Sequence, residues 1–359
     1  PLLACVQVAE KTLMDKAAPR GYLPIDGIAA YDSAVKGLIF GANSAVVQEG
    51  RVATVQTLGG TGGLKIGADF LKKINPNAKV LISDPSWENH RALFSNAGFL
   101  VETYIYYDAG KRGVNFDGML ASLKAAVPGT IVVLHACCHN PTGYDITPAQ
   151  WDQVVEAVRA GRLIAFLDMA YQGFGHGIAE DGAVIGKFVD AGLNFFVSSS
   201  FSKSFSLYGE RVGALSVVCS GKEETARVLS QLKITIRTNY SNPPTHGAAV
   251  VAAVLNTPEL RQQWEQELGV MRARIKQMRE KLVEGLKAAG VQRDMSFITQ
   301  QIGMFSYSGL SKDQMVRLRS EFGVYGTDSG RMCVAALNKK NIAYVCEAMA
   351  KVLDATVAA

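Results

Sequence analysis

Between about Leu58 and Ser220, short runs of β-branched and aromatic residues alternate with segments of helical spacing, and this alternation constrains the fold more than any other feature. Strands joined by crossover helices pair in parallel, and a parallel sheet is covered on both faces, so its strands read as continuous apolar runs. The runs that fit are Ala78 to Asp84, Leu100 to Asp108, Thr130 to Cys137, Leu163 to Asp168, Phe195 to Ser200 and Val212 to Cys219. Trp87 to Ala97, Phe116 to Val127 and Thr147 to Ala160 have the spacing of helices that cover such a sheet. The expectation is an α/β fold with a mostly parallel sheet flanked by helices.

After Thr245 the pattern changes. Leu260, Trp264, Leu268, Met271, Ile275, Met278, Leu282 and Leu286 recur at steps of three and four, which is one face of a long helix that stops near Gly290. The remainder reads as strand, helix (Lys312 to Phe322), strand (Gly330 to Ala336) and helix (Asn341 to Asp354). This predicts a large domain over 1–270 and a smaller α/β domain over 271–359. The chain opens on Pro1, so the numbering is expected to begin inside a longer protein.

Composition narrows the function classes. With 48% hydrophobic and 19% charged residues the chain can bury a sizeable core, and no apolar run reaches the 18 residues of a spanning helix. A formal charge of +5 with no basic block argues against nucleic acid as a partner. The six cysteines show no framework spacing, which points to a reducing, cytoplasmic setting.

Polar residues cluster after the apolar runs. Gly59-Gly60-Thr61-Gly62-Gly63-Leu64-Lys65 stands just before a helical pattern, where backbone amides approach an anion closely. It lacks the Walker ending and the dinucleotide register, so a phosphate fits better than a nucleotide. Ser200, Ser202 and Lys203 follow another run, with Arg211 eight residues on: a surface lysine, or a partly buried amine of lowered pKa able to form a Schiff base. Asp168 and Tyr171 leave a third run together, and His139-Asn140-Pro141-Thr142-Gly143 leaves a fourth. In open α/β sheets ligands sit at such strand ends. His135, Cys137, Cys138 and His139 do not have paired metal-ligand spacing, and vicinal cysteines on a strand are expected on opposite faces. Arg237 and Arg331 each border an irregular segment, and two bidentate donors would suit a substrate with one or two carboxylates.

Taken together, YLPIDGI at Tyr22, QTLGGTGGLKIGADFL at Gln56, SDPSWENH at Ser83, HACCHNPTG at His135, DMAYQGF at Asp168, SSFSKSFSLYGERVGALS at Ser199, IRTNYSNPPTHG at Ile236, GMFSYSGL at Gly303 and SGRMCVAALN at Ser329 resemble the class I aminotransferases of the aspartate and aromatic amino acid branch, which are pyridoxal phosphate enzymes of fold type I. The resemblance runs end to end, and SKSFSLYGERVG is more like the aromatic branch. It implies that Lys203 is the Schiff-base lysine and proton shuttle, and that Asp168 pairs with the pyridine nitrogen. Tyr171 and Asn140 would bond the phenolic oxygen, and Trp87 would stack on the ring. Gly60, Thr61, Ser200, Ser202 and Arg211 would hold the phosphate, with Tyr22 reaching in from a second subunit. Arg331 would grip the substrate α-carboxylate, and Arg237 of the second subunit the distal one. The implied activity is transamination of tyrosine, phenylalanine and aspartate with 2-oxoglutarate by a homodimer with shared sites. The same resemblance implies an arm and a strand-loop, part of the small domain, ahead of Pro1. Competing readings are a strict aspartate aminotransferase, a decarboxylase or carbon-sulfur lyase on the same cofactor, and a non-catalytic phosphate-binding protein.

Overall fold

In the computed structural model, which describes residues 2–354, the strands are β1 (Val52–Leu58), β2 (Lys79–Asp84), β3 (Leu100–Ile105), β4 (Tyr107–Asp108), β5 (Gly113–Val114), β6 (Ile131–His135), β7 (Ile164–Met169), β8 (Phe196–Ser200), β9 (Val212–Val218), β10 (Phe305–Tyr307) and β11 (Arg331–Cys333). Seven of them form one sheet in the order β1-β9-β8-β7-β6-β2-β3. All neighbours from β8 to β3 pair in parallel, while β9 runs antiparallel to both β1 and β8. The apolar runs are apolar because both faces are covered: β6, β7, β8 and β9 are buried almost throughout.

The structure departs from the expected runs at two places. β1 lies before Leu58, where Thr54, Gln56 and Thr57 mask it as a loop in the sequence. Those polar groups are buried with partners, Thr54 with Ser216 at 2.9 Å and Gln56 with the Pro244 carbonyl at 2.7 Å. The run Leu100 to Asp108 is two elements, because Tyr106 turns inward to donate to the Tyr144 carbonyl at 2.6 Å and β4 then pairs with β5 in a separate hairpin.

The Gly-rich segment is not a loop before a helix but the first turn of the helix Gly59–Ile74. That helix lies directly on the sheet. A Cβ on Gly63 would stand 2.6 Å from the Ser198 hydroxyl, and one on Gly67 would stand 2.5 Å from the Phe166 ring, so only hydrogen fits at either contact.

The apolar stripe after Thr245 is the helix Pro258–Ala288, continuous across residue 270. It buries Trp264, Leu268, Ile275, Met278, Leu282 and Leu286, with Leu260 and Met271 half-buried. At roughly 1.5–3 kcal/mol per buried apolar side chain, packing rather than helix propensity holds it. Trp264 donates to the Ser204 carbonyl at 2.8 Å and stacks on Phe205, tying the helix to the segment that carries Lys203. Farther along, the same helix packs against the helix Ile342–Asp354. β10 and β11 pair antiparallel with Tyr307 opposite Arg331, and the expected strand Gly330 to Ala336 ends at Cys333 in a short 3-10 turn. The helix Lys312–Phe322 falls where the sequence predicts, closed by a Ser311–Gln314 capping box and by left-handed Gly323. Among the described residues no helix is long and apolar enough to cross a membrane.

Candidate active site

The parallel strands of the sheet end at the same edge, and residues at or just beyond the ends of β2, β6, β7 and β8 line one cavity of about 360 Å3. β1 leads to Gly60 and Thr61, β2 to Trp87, β6 to Asn140, β7 ends in Asp168 and leads to Tyr171, and β8 leads to Ser200, Ser202 and Lys203. Because β9 runs the other way, Arg211 just before it comes to the same edge. Arg331 arrives from β11.

Groups able to bind an anion meet at the start of one helix. The helix Gly59–Ile74 has no side-chain hydrogen bond at its N-cap, and Arg211 stands over this helix start: a Cβ on Gly59 would lie 2.5 Å from its guanidinium. Arg211 takes a left-handed φ of 55° and donates to the Tyr208 carbonyl at 2.9 Å. Thr61, Ser200 and Ser202 line the cavity as well.

The same cavity carries Asp168, 9% exposed. Burial alone would raise its pKa. Burial is the largest single influence, but the hydrogen bond from His90 at 2.7 Å together with the neighbouring His90, His135 and Lys203 outweighs it and holds the carboxyl below its ordinary range, so it stays ionised. His90, fully buried on the helix Glu88–Asn96 one turn after Trp87, is held in turn by the Ser86 hydroxyl at 2.8 Å, which also meets His135 at 3.2 Å. His135 is pushed down to about 3, by burial first and His90 second, and His139 is also pushed down by burial, so both rings are neutral.

Lys203 lies between these influences. Burial and then Arg211 lower its pKa while Asp168 raises it, and the net shift is downward, toward the free amine. Its Nζ stands 5.1 Å from the centre of the Tyr171 ring. Burial, and then Asp168, raises the Tyr171 phenol, which remains a donor at neutral pH. Arg331 donates to the Asn140 side chain at 3.0 Å and lies 4.6 Å over the Phe305 ring, so its orientation is fixed from two sides.

Tyr22 and Arg237 do not line this cavity. Tyr22 is 96% exposed, and Arg237 is exposed with a bond to Ser241 at 2.6 Å. His90, Phe305 and Tyr208 belong to the site although the sequence reading did not single them out. His90 and Phe305 do sit inside the motifs SDPSWENH and GMFSYSGL, and Tyr208 inside SKSFSLYGERVG. The vicinal cysteines do not point to opposite faces. Strand β6 has ended at His135 and Cys138 takes a φ of 52°, which brings both sulfurs and an Asp181 oxygen within 4.8 Å of one another. Asp181 is already engaged, accepting from the amides of Gly173, Gly175 and His176.

The sequence profile described as aminotransferase class I and II matches residues 2–349. An aspartate aminotransferase of Pseudomonas aeruginosa is 61% identical over 98% of this chain and 89% of its own length. An aromatic-amino-acid aminotransferase of Escherichia coli is 53% identical over 98% of this chain and 89% of its own length. The crystal structure of the aromatic-amino-acid aminotransferase of Burkholderia pseudomallei, covalently bound to pyridoxal phosphate, matches with a TM-score of 0.97 at 66% identity, covering 98% of this chain and 88% of that one. With a family profile and relatives of this identity matching nearly its whole length, the chain belongs to the class I and II aminotransferases.

Proposed function

We propose that this aminotransferase uses pyridoxal phosphate to move the amino group of aromatic amino acids (tyrosine, phenylalanine) and of aspartate onto 2-oxoglutarate, giving the 2-oxo acid and glutamate. The observation that carries this reading is a single cavity that gathers anion-binding groups, a carboxylate kept ionised and an amine of lowered pKa that feels both Asp168 and Arg211. Relatives named for both aspartate and aromatic amino acids support the substrate range.

The residues fit the cofactor. A Cβ on Gly60 would stand 3.0 Å from the Ser200 Cβ, so glycine keeps open the space between helix start and Ser200 that a phosphate needs. Thr61, Ser200, Ser202, Arg211 and the first helix amides would hold the phosphate, Asp168 the ring nitrogen, Asn140 and Tyr171 the phenolic oxygen, and Trp87 a ring face. Bound there, the cofactor supplies an electron sink for the pair left on the substrate α-carbon when its proton is removed. Asp168, oriented by His90, keeps a proton on the ring nitrogen. The Lys203 amine takes the α-proton. Arg331, braced by Asn140 and Phe305, holds the α-carboxylate in a bidentate pair, and a carboxylate held there is retained rather than released as carbon dioxide. This favours transfer over decarboxylation.

The exposure of Tyr22 and Arg237 supports a homodimer in which each completes the partner's site. On that reading Arg237→Leu hurts aspartate far more than phenylalanine, because a carboxylate left buried and unpaired costs several kcal/mol, whereas an aromatic ring covers the gap. A loss of roughly 2–5 kcal/mol moves the ratio of the two kcat/KM values at least about tenfold toward phenylalanine. Arg331→Leu is the control and damages both alike. Equal losses in Arg237→Leu would make that arginine structural. Mixing Lys203→Ala with Arg237→Leu subunits is expected to restore aspartate turnover through one intact site per heterodimer, and exchange without restoration would refute shared sites. The division into domains 1–270 and 271–359 is our reading of the change in pattern, with the helix Pro258–Ala288 bridging it. The cytoplasmic setting rests on six cysteines that are all unpaired.

A further inference from the structure

Arg279, on the inner face of the helix Pro258–Ala288, is 3% exposed, and among the described residues no carboxylate pairs with it. Burying a guanidinium is costly, and burial lowers its pKa to about 10, so it still carries its charge at neutral pH. Its partners are oxygens of one short stretch of chain. Nη2 donates to the carbonyls of Gly303 at 2.7 Å and Phe305 at 2.6 Å, and Nη1 to the Ile298 carbonyl at 3.3 Å and the Gln301 side chain at 3.5 Å. This stretch is a 3-10 turn and a loop leading into β10, so most of its carbonyls have no ladder to satisfy them.

The clipped stretch carries the support of Arg331. The Phe305 ring lies 4.6 Å beneath that guanidinium, and β10 pairs with β11 so that Tyr307 stands opposite Arg331. The Ile302 amide donates to the Gly143 carbonyl at 2.8 Å, and a Cβ on Gly143 would meet the Phe305 carbonyl at 3.0 Å. Gly143 lies three residues after Asn140, the second support of Arg331, in the same loop. Both braces of the carboxylate clamp therefore converge on the stretch that Arg279 holds.

The geometry points to Arg279 as a positioning residue for substrate carboxylate binding, acting through Phe305 and the Asn140 loop on Arg331. It deepens the reading that Arg331 receives the α-carboxylate and rests on it. A fork of fixed donors spans carbonyls that a single ammonium cannot, so lysine substitutes only in part.

The test is a double-mutant cycle on the holoenzyme, with calorimetric Kd for succinate, a non-reacting dicarboxylate, as readout. Arg279→Met is expected to weaken succinate at least about tenfold and to raise KM for amino acids more than it lowers kcat, with Arg279→Lys recovering part of the loss. The cofactor absorbance band is expected to be unchanged. In an Arg331→Leu background the same Arg279→Met change moves Kd less than about twofold, because the group it positions is gone. An equal loss in both backgrounds, which is what a purely structural role gives, overturns the proposal, as does no loss at all. Should Arg279→Met not fold, the cycle is run with Arg279→Lys and read by the same criteria. Succinate affinity unmoved by Arg331→Leu alone would overturn the carboxylate reading itself, whereas a loss there with none on changing Arg279 overturns only the clip.

Discussion

Lys203→Ala is expected to lose at least about 10^4-fold in turnover while still binding pyridoxal phosphate. The two halves follow from different parts of the cavity. The groups that would hold the phosphate (Thr61, Ser200, Ser202, Arg211 and the helix start) do not include the lysine amine, and the ring would still meet Asp168 and Trp87. Binding therefore survives, and absorbance after gel filtration checks it. Turnover does not survive, because Lys203 is the basic side chain in the cavity whose pKa is moved toward the free amine. Near-normal transamination by the variant would end the assignment.

Asp168→Asn is expected to lower kcat by roughly 30-fold to a few thousand-fold, from the 2–5 kcal/mol lost when one partner of a buried charged pair is neutralised. An amide fills the same space and still meets His90, but it has no negative charge with which to keep a proton on the ring nitrogen. The substitution thus separates charge from shape. Because Asp168 stays ionised below the ordinary carboxylate range, the wild-type pH profile between 5 and 9 should show no step from this group. A variant that retains wild-type kcat with bound cofactor would show that the carboxylate only braces His90.

Much of this was legible in the sequence because a doubly covered parallel sheet writes itself as apolar runs, and its site lies just past their ends. Asp168 and Lys203 could be found as polar groups at or after the ends of such runs, and the glycines at 59–63 as lying beside a helix start, though not as its first turn. β1 was not legible, since its buried Thr54 and Gln56 read as polar until their partners 162 and 188 residues away are known. His90 was not legible as a brace for Asp168 either: 78 residues separate them, and only the sheet order brings them together. The cysteine expectation failed on one dihedral, the positive φ of Cys138, which no alternation rule contains. Tyr22 came from resemblance alone and Arg237 from its place beside an irregular segment as well, and in the single chain both are exposed.

On this reading the cavity transfers an amino group between two carboxylate-bearing substrates. Product balance tests it most directly: the holoenzyme is given tyrosine or aspartate together with 2-oxoglutarate, and every product is quantified. The account predicts one equivalent of glutamate for each equivalent of the matching 2-oxo acid, with neither ammonia nor carbon dioxide released. Tyramine with carbon dioxide, or ammonia without glutamate, would contradict it.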